Sequence, residues 1–293
     1  MQRRYFDNSV EDSIQKKFRG KDELTANFDL SLFAGAERAY GRLLNGYVND
    51  VNKIVLRYLP EVRRGYIAES MFRVDSKAGL KNQTEAVLKK IREDVKKLYK
   101  GNKYQKELRK IGKYEIFGIS RKWKHKIEKT FGVTVDETYY VGTVTEKELE
   151  KWISNNVALI NGIPEQYLKR IEKAVLKGYE NHKNTVQITN DLKKEFGMTK
   201  RRAKLIARDQ VFKLNSDIAE KIQRDAGCDR FKWSTCKDNR VRESHRKLEG
   251  KRFYWNNLPM NEKGERIKPA SEVQCRCVAI PVFNRKKIKF PLK

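Results

Sequence analysis

Apolar residues recur at spacings of three and four through most of the first two thirds of the chain. From Phe28 through Leu32, Phe33, Ala36, Tyr40, Leu43, Tyr47, Val51, Ile54 and Val55 to Tyr58 they predict a long amphipathic helix over 28–59, because such positions share one face of a 3.6-residue repeat. Pro60, which lacks an amide hydrogen, is its expected stop. Val87, Leu88, Ile91, Val95 and Leu98 predict a second helix over 84–99, and Leu108, Ile111, Ile116, Phe117, Ile119, Trp123 and Ile127 a third within 104–131. Between 132 and 142 the residues turn β-branched and aromatic, which reads as a short strand or extended linker. A domain boundary is placed there, giving a helical domain over 1–143 and a second domain over 144–293.

Thr145-Glu146-Lys147-Glu148 has the form of a capping box and should open a helix carrying Leu149, Trp152, Ile153 and Val157. Pro164 suits the first turn of the next helix, with Tyr167, Leu168, Ile171, Val175, Leu176 and Tyr179 on its face. A shorter helix around 192–196 should stop at Gly197. Thr199 should then cap a helix running to Ala226, buried through Ile206, Ala207, Val211, Leu214, Ile218 and Ile222 and ended by Gly227. After Gly227 the periodicity changes: strands are expected over 230–234, 252–255 and 273–282, with a short helix over 241–248. The whole reads as α+β, mainly α: long N-terminal helices, a helical connector and a small C-terminal mixed α/β subdomain over 228–293.

Charge sharpens this picture. The 293 residues include 66 Lys and Arg against 38 Asp and Glu, a net charge of +28, which excludes a neutral surface and points to a polyanionic partner. Over 81–130 there are 17 basic and 6 acidic residues, a net of +11. Within that stretch Lys89, Lys96, Lys100 and Lys103 recur at helical spacing, so one face could track the phosphates of double-stranded DNA without reading bases. The plainer alternative is a solvated helix face. No apolar run is long enough for a signal peptide or a membrane helix, so cytoplasmic synthesis and no membrane partner are expected.

All four cysteines lie after residue 227, a clustering that in a reducing compartment favours metal ligation or buried thiols over disulfides. Cys275 and Cys277, two apart on a strand, would share a face. With Cys236 and His245 they would make a closed tetrahedral structural zinc site, Cys228 being a substitute for Cys236. Two other readings stay open: thiols buried as small hydrophobes beside a hydrogen-bonded histidine, or a disulfide. His245 with Asp238, Arg240 and Arg242 is also chemically suited to the acid/base and phosphate-clamping work of a nuclease. Against that, Asp238-Asn239 fits a simple turn, with Arg240 and Arg242 paired to carboxylates such as Glu243 or Glu249. Arg208-Asp209, inside a helical pattern, reads as a buried ion pair or a cap for the terminal subdomain.

Four blocks in order carry a family resemblance: Trp152 with Asn156 to Ile160; Lys204 to Gln210; Trp233-Ser234-Thr235 with Asp238, Arg240, Val241, Arg242, His245, Leu248, Gly250, Lys251 and Phe253; and Cys275-Arg276-Cys277. Over roughly 145–282 this resembles the phage Mu F-like head morphogenesis domain of minor head proteins. The resemblance implies a low-copy capsid protein of a tailed phage or prophage and no established catalytic activity, so no catalytic residues are expected. It implies a place inside the head near the portal protein, reached from the host cytoplasm during assembly, with capsid or scaffolding proteins and packaged DNA as partners. Relatives that carry a toxin or nuclease place it after this domain, and the 16 residues beyond Cys277 are expected to hold none. A histidine-dependent nuclease and a zinc-containing nucleic-acid-binding regulator are the rival functions.

Overall fold

The computed structural model describes residues 8–25, 34–72, 77–98, 103–135, 143–181, 183 and 185–289. Along the chain run α1 (Asn8–Lys17), β1 (Glu23–Thr25), α2 (Ala34–Phe72), α3 (Lys77–Leu98), α4 (Lys103–Phe131), α5 (Thr143–Glu180), α6 (Thr185–Asp225), β2 (Arg230–Ser234), α7 (Glu243–Arg246), β3 (Arg252–Tyr254) and β4 (Val278–Asn284). The chain is mostly helical, with one small antiparallel sheet, so the α+β, mainly α, class holds.

The helices are fewer and longer than the periodicity suggested. Pro60 lies inside α2 and Pro164 inside α5, and neither stops its helix. Each proline removes one intrahelical hydrogen bond at a cost of about 3 kcal/mol. A helix anchored on both sides of the break tolerates that. In α5 the flanking anchors are Ile160, Ile163, Tyr167 and Leu168, all buried. The expected break at Gly197 and Thr199 is likewise absent, both lying within α6. Thr199 does not cap a helix start. Its hydroxyl donates to the Glu195 carbonyl one turn back, at 2.8 Å, and accepts from Arg170 Nη2 at 2.8 Å, a back-bond that a helix interior accommodates. The α5 start at Thr143 lies two residues before Thr145, and the side chain of Thr145 lies outside the described residues, as do 136–142 of the expected strand or linker.

The chain divides into two compact units. One comprises Met1–Glu37, Arg109–Ile153 and Arg208–Lys293, the other Arg38–Leu108 and Ser154–Ala207. Neither is contiguous, and each draws on residues from both sides of position 143, since α2, α4, α5 and α6 contribute to both.

In the second unit, α2 buries Tyr40, Leu44, Tyr47, Val48, Val51, Ile54 and Val55 along one stripe. Tyr40 donates to Asn156 Oδ1 at 2.6 Å, and Tyr167 donates to Asn52 Oδ1 at 2.7 Å. These bonds satisfy hydroxyls that would be costly to bury bare. Burial pushes the Tyr40 and Tyr167 phenols far above their ordinary range.

In the first unit the sheet order is β1-β4-β2-β3, every pair antiparallel. β2 alternates, burying Phe231 and Trp233, while β4, paired on both sides, is buried at five successive positions from Ala279 to Phe283. Phe131 packs edge-on against Phe283 at 5.1 Å, and Trp123 lies 6.0 Å from the same ring. Phe231, Trp233, Trp255, Ile267, Cys275, Cys277 and Ala279 form a second cluster. α6 ends as expected at Gly227. The Cys228 N–H bonds the Gln223 carbonyl and the Gly227 N–H bonds the Arg224 carbonyl, a pair of bonds that requires φ of +83° at Gly227.

Candidate metal centre

The site is built where the C-terminal half of α6 supports the chain between β3 and β4. Lys268 Nζ bonds Asp217 at 2.6 Å and Glu220 at 2.7 Å, and Ser216 donates to the Pro269 carbonyl at 2.5 Å. Asp209 Oδ1 accepts the Gln274 N–H at 2.7 Å and its other oxygen bonds Lys213 at 2.9 Å. Asp209 thus caps the terminal subdomain, in line with one of the two roles expected for it. Gln274 sits at φ +59°, a left-handed position for a non-glycine residue, which re-aims the next three residues, the first and third of them buried.

Those residues are Cys275-Arg276-Cys277, and they precede the sheet. The expected strand over 273–282 begins only at Val278, because β2 ends at Ser234 and Ser234 faces Val278. Both thiols nonetheless reach one point. Cys275 Sγ and Cys277 Sγ each lie 3.5 Å from His245 Nδ1. His245 comes from the four-residue α7, and the segment after it is pinned by the Gly250 N–H to the Trp233 carbonyl and the Trp233 N–H to the Lys251 carbonyl, both 2.9 Å. The imidazole stands edge-on to the Trp233 ring at 5.4 Å. His245, Cys275 and Cys277 are 3%, 4% and 3% exposed, and their ligand atoms all lie within 4.8 Å of one another.

Cys236 stands apart. It is exposed, its sulfur 3.6 Å from Asp238 Oδ1, and it lines the rim of a cavity of about 180 Å³ with His245, Cys275 and Cys277 at its base. The closed four-residue set is therefore not assembled, and the buried Cys228 is not in the group either.

Glu272 is the residue that sequence patterning missed. Its Oε2 lies 2.5 Å from His245 Nε2 and its Oε1 accepts from Asn261 at 3.1 Å. Burial works to raise its pKa, but the hydrogen bonds from Asn261 and His245 outweigh burial and hold it below the usual carboxylate range. An ionised Glu272 only accepts, so Nε2 carries a proton and Nδ1 is the nitrogen that faces the sulfurs. Cys275 is pulled well below the usual thiol range, first by the hydrogen bond from the Cys277 thiol and then by His245. The same bond, with burial, pushes Cys277 up, and the hydrogen bond to Cys275 raises His245. A carboxylate three residues before Cys275 was the available signal, and it carried no periodicity to draw attention.

Asp238 is not the partner of His245. Arg276 Nη2 lies 2.6 Å from its Oδ2, and the Arg240 N–H bonds Oδ1 at 3.1 Å in an Asx-type turn. These cations and donors, Arg276 first, hold its carboxyl down at about 2. Arg240 pairs with Asp238, and Arg242 reaches Glu272 at 3.8 Å and the Val273 carbonyl at 2.6 Å, so neither pairs with Glu243 or Glu249. Glu249 instead accepts the Thr235 N–H at 2.6 Å. The carboxylate beside His245 is therefore Glu272 and not Asp238, the residue that the rival nuclease reading had named.

The lysines fall on α3 and α4. Lys89, Lys96 and Lys103 are exposed and make no ion pair among the described residues, whereas Lys90 and Lys97 are tied to Glu61 and Asp94. Lys100 lies outside the described residues.

The stretch that builds the His245 site lies within a match to a known family. Residues 169–280 match the family described as Phage Mu protein F like protein. The Mu F-like resemblance therefore holds over the Lys204 to Gln210, Trp233 to Phe253 and Cys275 to Cys277 blocks. A protein of Haemophilus influenzae (strain ATCC 51907 / DSM 11121 / KW20 / Rd), described as "Uncharacterized protein", is 33% identical over 141 residues, covering 48% of this chain. The chain spans 30% of the length of that curated relative. No solved structure matches. No helix among the described residues is long and apolar enough to cross a membrane.

Proposed function

We propose that the protein is a minor head component of a tailed phage or prophage, which enters the procapsid beside the portal protein and contacts packaged DNA. The Mu F-like match over 169–280 is the observation that carries this reading. The DNA contact is supported by the net charge of +28 and by Lys89, Lys96 and Lys103, which are exposed and make no ion pair among the described residues, while Lys90 and Lys97 are neutralised by carboxylates. Lys89 and Lys96, seven residues apart on α3, share one helix face, whereas Lys103 opens α4 and is not on that face as the spacing had suggested. Each exposed ammonium can displace a counterion from a phosphate backbone. The role is architectural and involves no catalytic step; capsid or scaffolding proteins are its other neighbours. Quantitative proteomics of procapsids assembled with and without portal tests the proposal. A few copies per particle that depend on portal are expected, and absence from both kinds of particle would overturn it.

A further inference from the structure

We infer that His245 Nδ1, Cys275 Sγ and Cys277 Sγ hold a zinc ion whose fourth coordination position opens into the arginine-lined cavity. A tetrahedral ion with Zn–S about 2.3 Å and Zn–N about 2.0–2.1 Å places sulfur and nitrogen about 3.6 Å apart. Both sulfurs lie 3.5 Å from Nδ1. Two thiolates and a neutral imidazole around a divalent ion carry no net charge, which suits a point where each ligand residue is at most 4% exposed. Ligand softness points the same way, since thiolate and imidazole together select zinc over magnesium or calcium.

The surroundings supply what a bound imidazole requires. Metal-ligating histidines hand their second nitrogen to a carboxylate, which fixes the tautomer and strengthens the ligand. Glu272 occupies that place at 2.5 Å and is itself held by Asn261. Backbone geometry aims the sulfurs: the left-handed turn at Gln274, clamped by Asp209, puts Cys275 and Cys277 on the same side without a strand.

The open position follows from where Cys236 lies. It is exposed at the rim while the three ligands lie at the base, leaving between them the cavity lined by Arg208, Arg240, Arg242 and Arg276. Arg208 Nε is buried there without a hydrogen-bond partner among the described residues. An exogenous oxygen ligand from this cavity completes the tetrahedron, and the arginines favour an anionic one.

The test is elemental analysis of the full chain purified under reducing conditions, followed by replacement of zinc with cobalt(II). About one zinc per chain is expected in the wild type and in Cys236→Ser, with loss from Cys275→Ser and Cys277→Ser. The cobalt form should show intense thiolate charge-transfer bands that persist in Cys236→Ser. The wild-type measurement needs no variant to fold. A metal-free wild type with a native circular dichroism spectrum would overturn the inference, as would a Cys275–Cys277 disulfide seen as a mass lower by two hydrogens. Loss of metal in Cys236→Ser would overturn the open position, replacing it with a closed four-ligand site.

Discussion

Asp209, on α6, accepts the backbone N–H of Gln274 at 2.7 Å, 65 residues away and one residue before Cys275. This bond joins the helix that carries one motif block to the loop that carries another. Removing the acceptor in Asp209→Ala leaves a donor unpaired in a largely buried place, at a cost of about 1–3 kcal/mol. Hydrogen exchange should show faster exchange over 272–278, with α2 and α3 unaffected. Asp209→Asn, which keeps an oxygen acceptor, should be milder.

Gly227 sits at φ +83°, and a Cβ there would lie 1.7 Å from the Lys287 carbonyl oxygen. Gly227→Ala therefore meets both left-handed strain and a backbone clash that no rotamer relieves. The variant should be less stable by more than about 1 kcal/mol in denaturant titration, with unfolding beginning in the terminal subdomain.

Lys268 faces Asp217 and Glu220, and although burial works to lower its pKa, the two carboxylates outweigh burial and raise it. A cation whose folded pKa is raised stabilises below its unfolded value of about 10.4 and loses that contribution as pH climbs through the folded value. Lys268→Met should be less stable than the wild type at neutral pH, and the gap should narrow above pH about 10.4. Thermal unfolding of both proteins across pH 7 to about 11 measures it.

Reversal of Lys89, Lys96 and Lys103 to Glu should weaken binding to duplex DNA of any sequence. The slope of log K against log salt should flatten by about 0.9 for each phosphate that is no longer neutralised. Fluorescence anisotropy at several salt concentrations gives the slope, and an unchanged slope would mean that these lysines are only solvated.

Particular residues show how far the chain could be read. The buried stripe of α2 from Tyr40 to Val55, the alternation of Phe231 and Trp233 in β2, and the stop at Gly227 were all legible, because each is a local consequence of period or of backbone conformation. Pro60, Pro164 and the Gly197-Thr199 pair read as breaks, yet the helices continue through them. A break signal costs a few kcal/mol locally and can be outweighed by anchors on both sides. β1 escaped notice because its three residues are a strand only by pairing with Val282, Phe283 and Asn284, more than 250 positions away.

The sequence by itself determined the class of the fold, the excess of positive charge, the Mu F-like motif order, and the fact that every cysteine lies in the last quarter of the chain. These depend on composition, on period or on linear order. Only the tertiary structure decided which residues meet. His245 faces Cys275 and Cys277 and not Cys236, and it takes its carboxylate from Glu272 and not Asp238. The physical reason is that convergence depends on where unrelated backbone segments end. β2 stops at Ser234, Gln274 turns left-handed under Asp209, and α7 hangs from the Trp233 strand. None of those endings leaves a mark in the spacing of the residues they bring together.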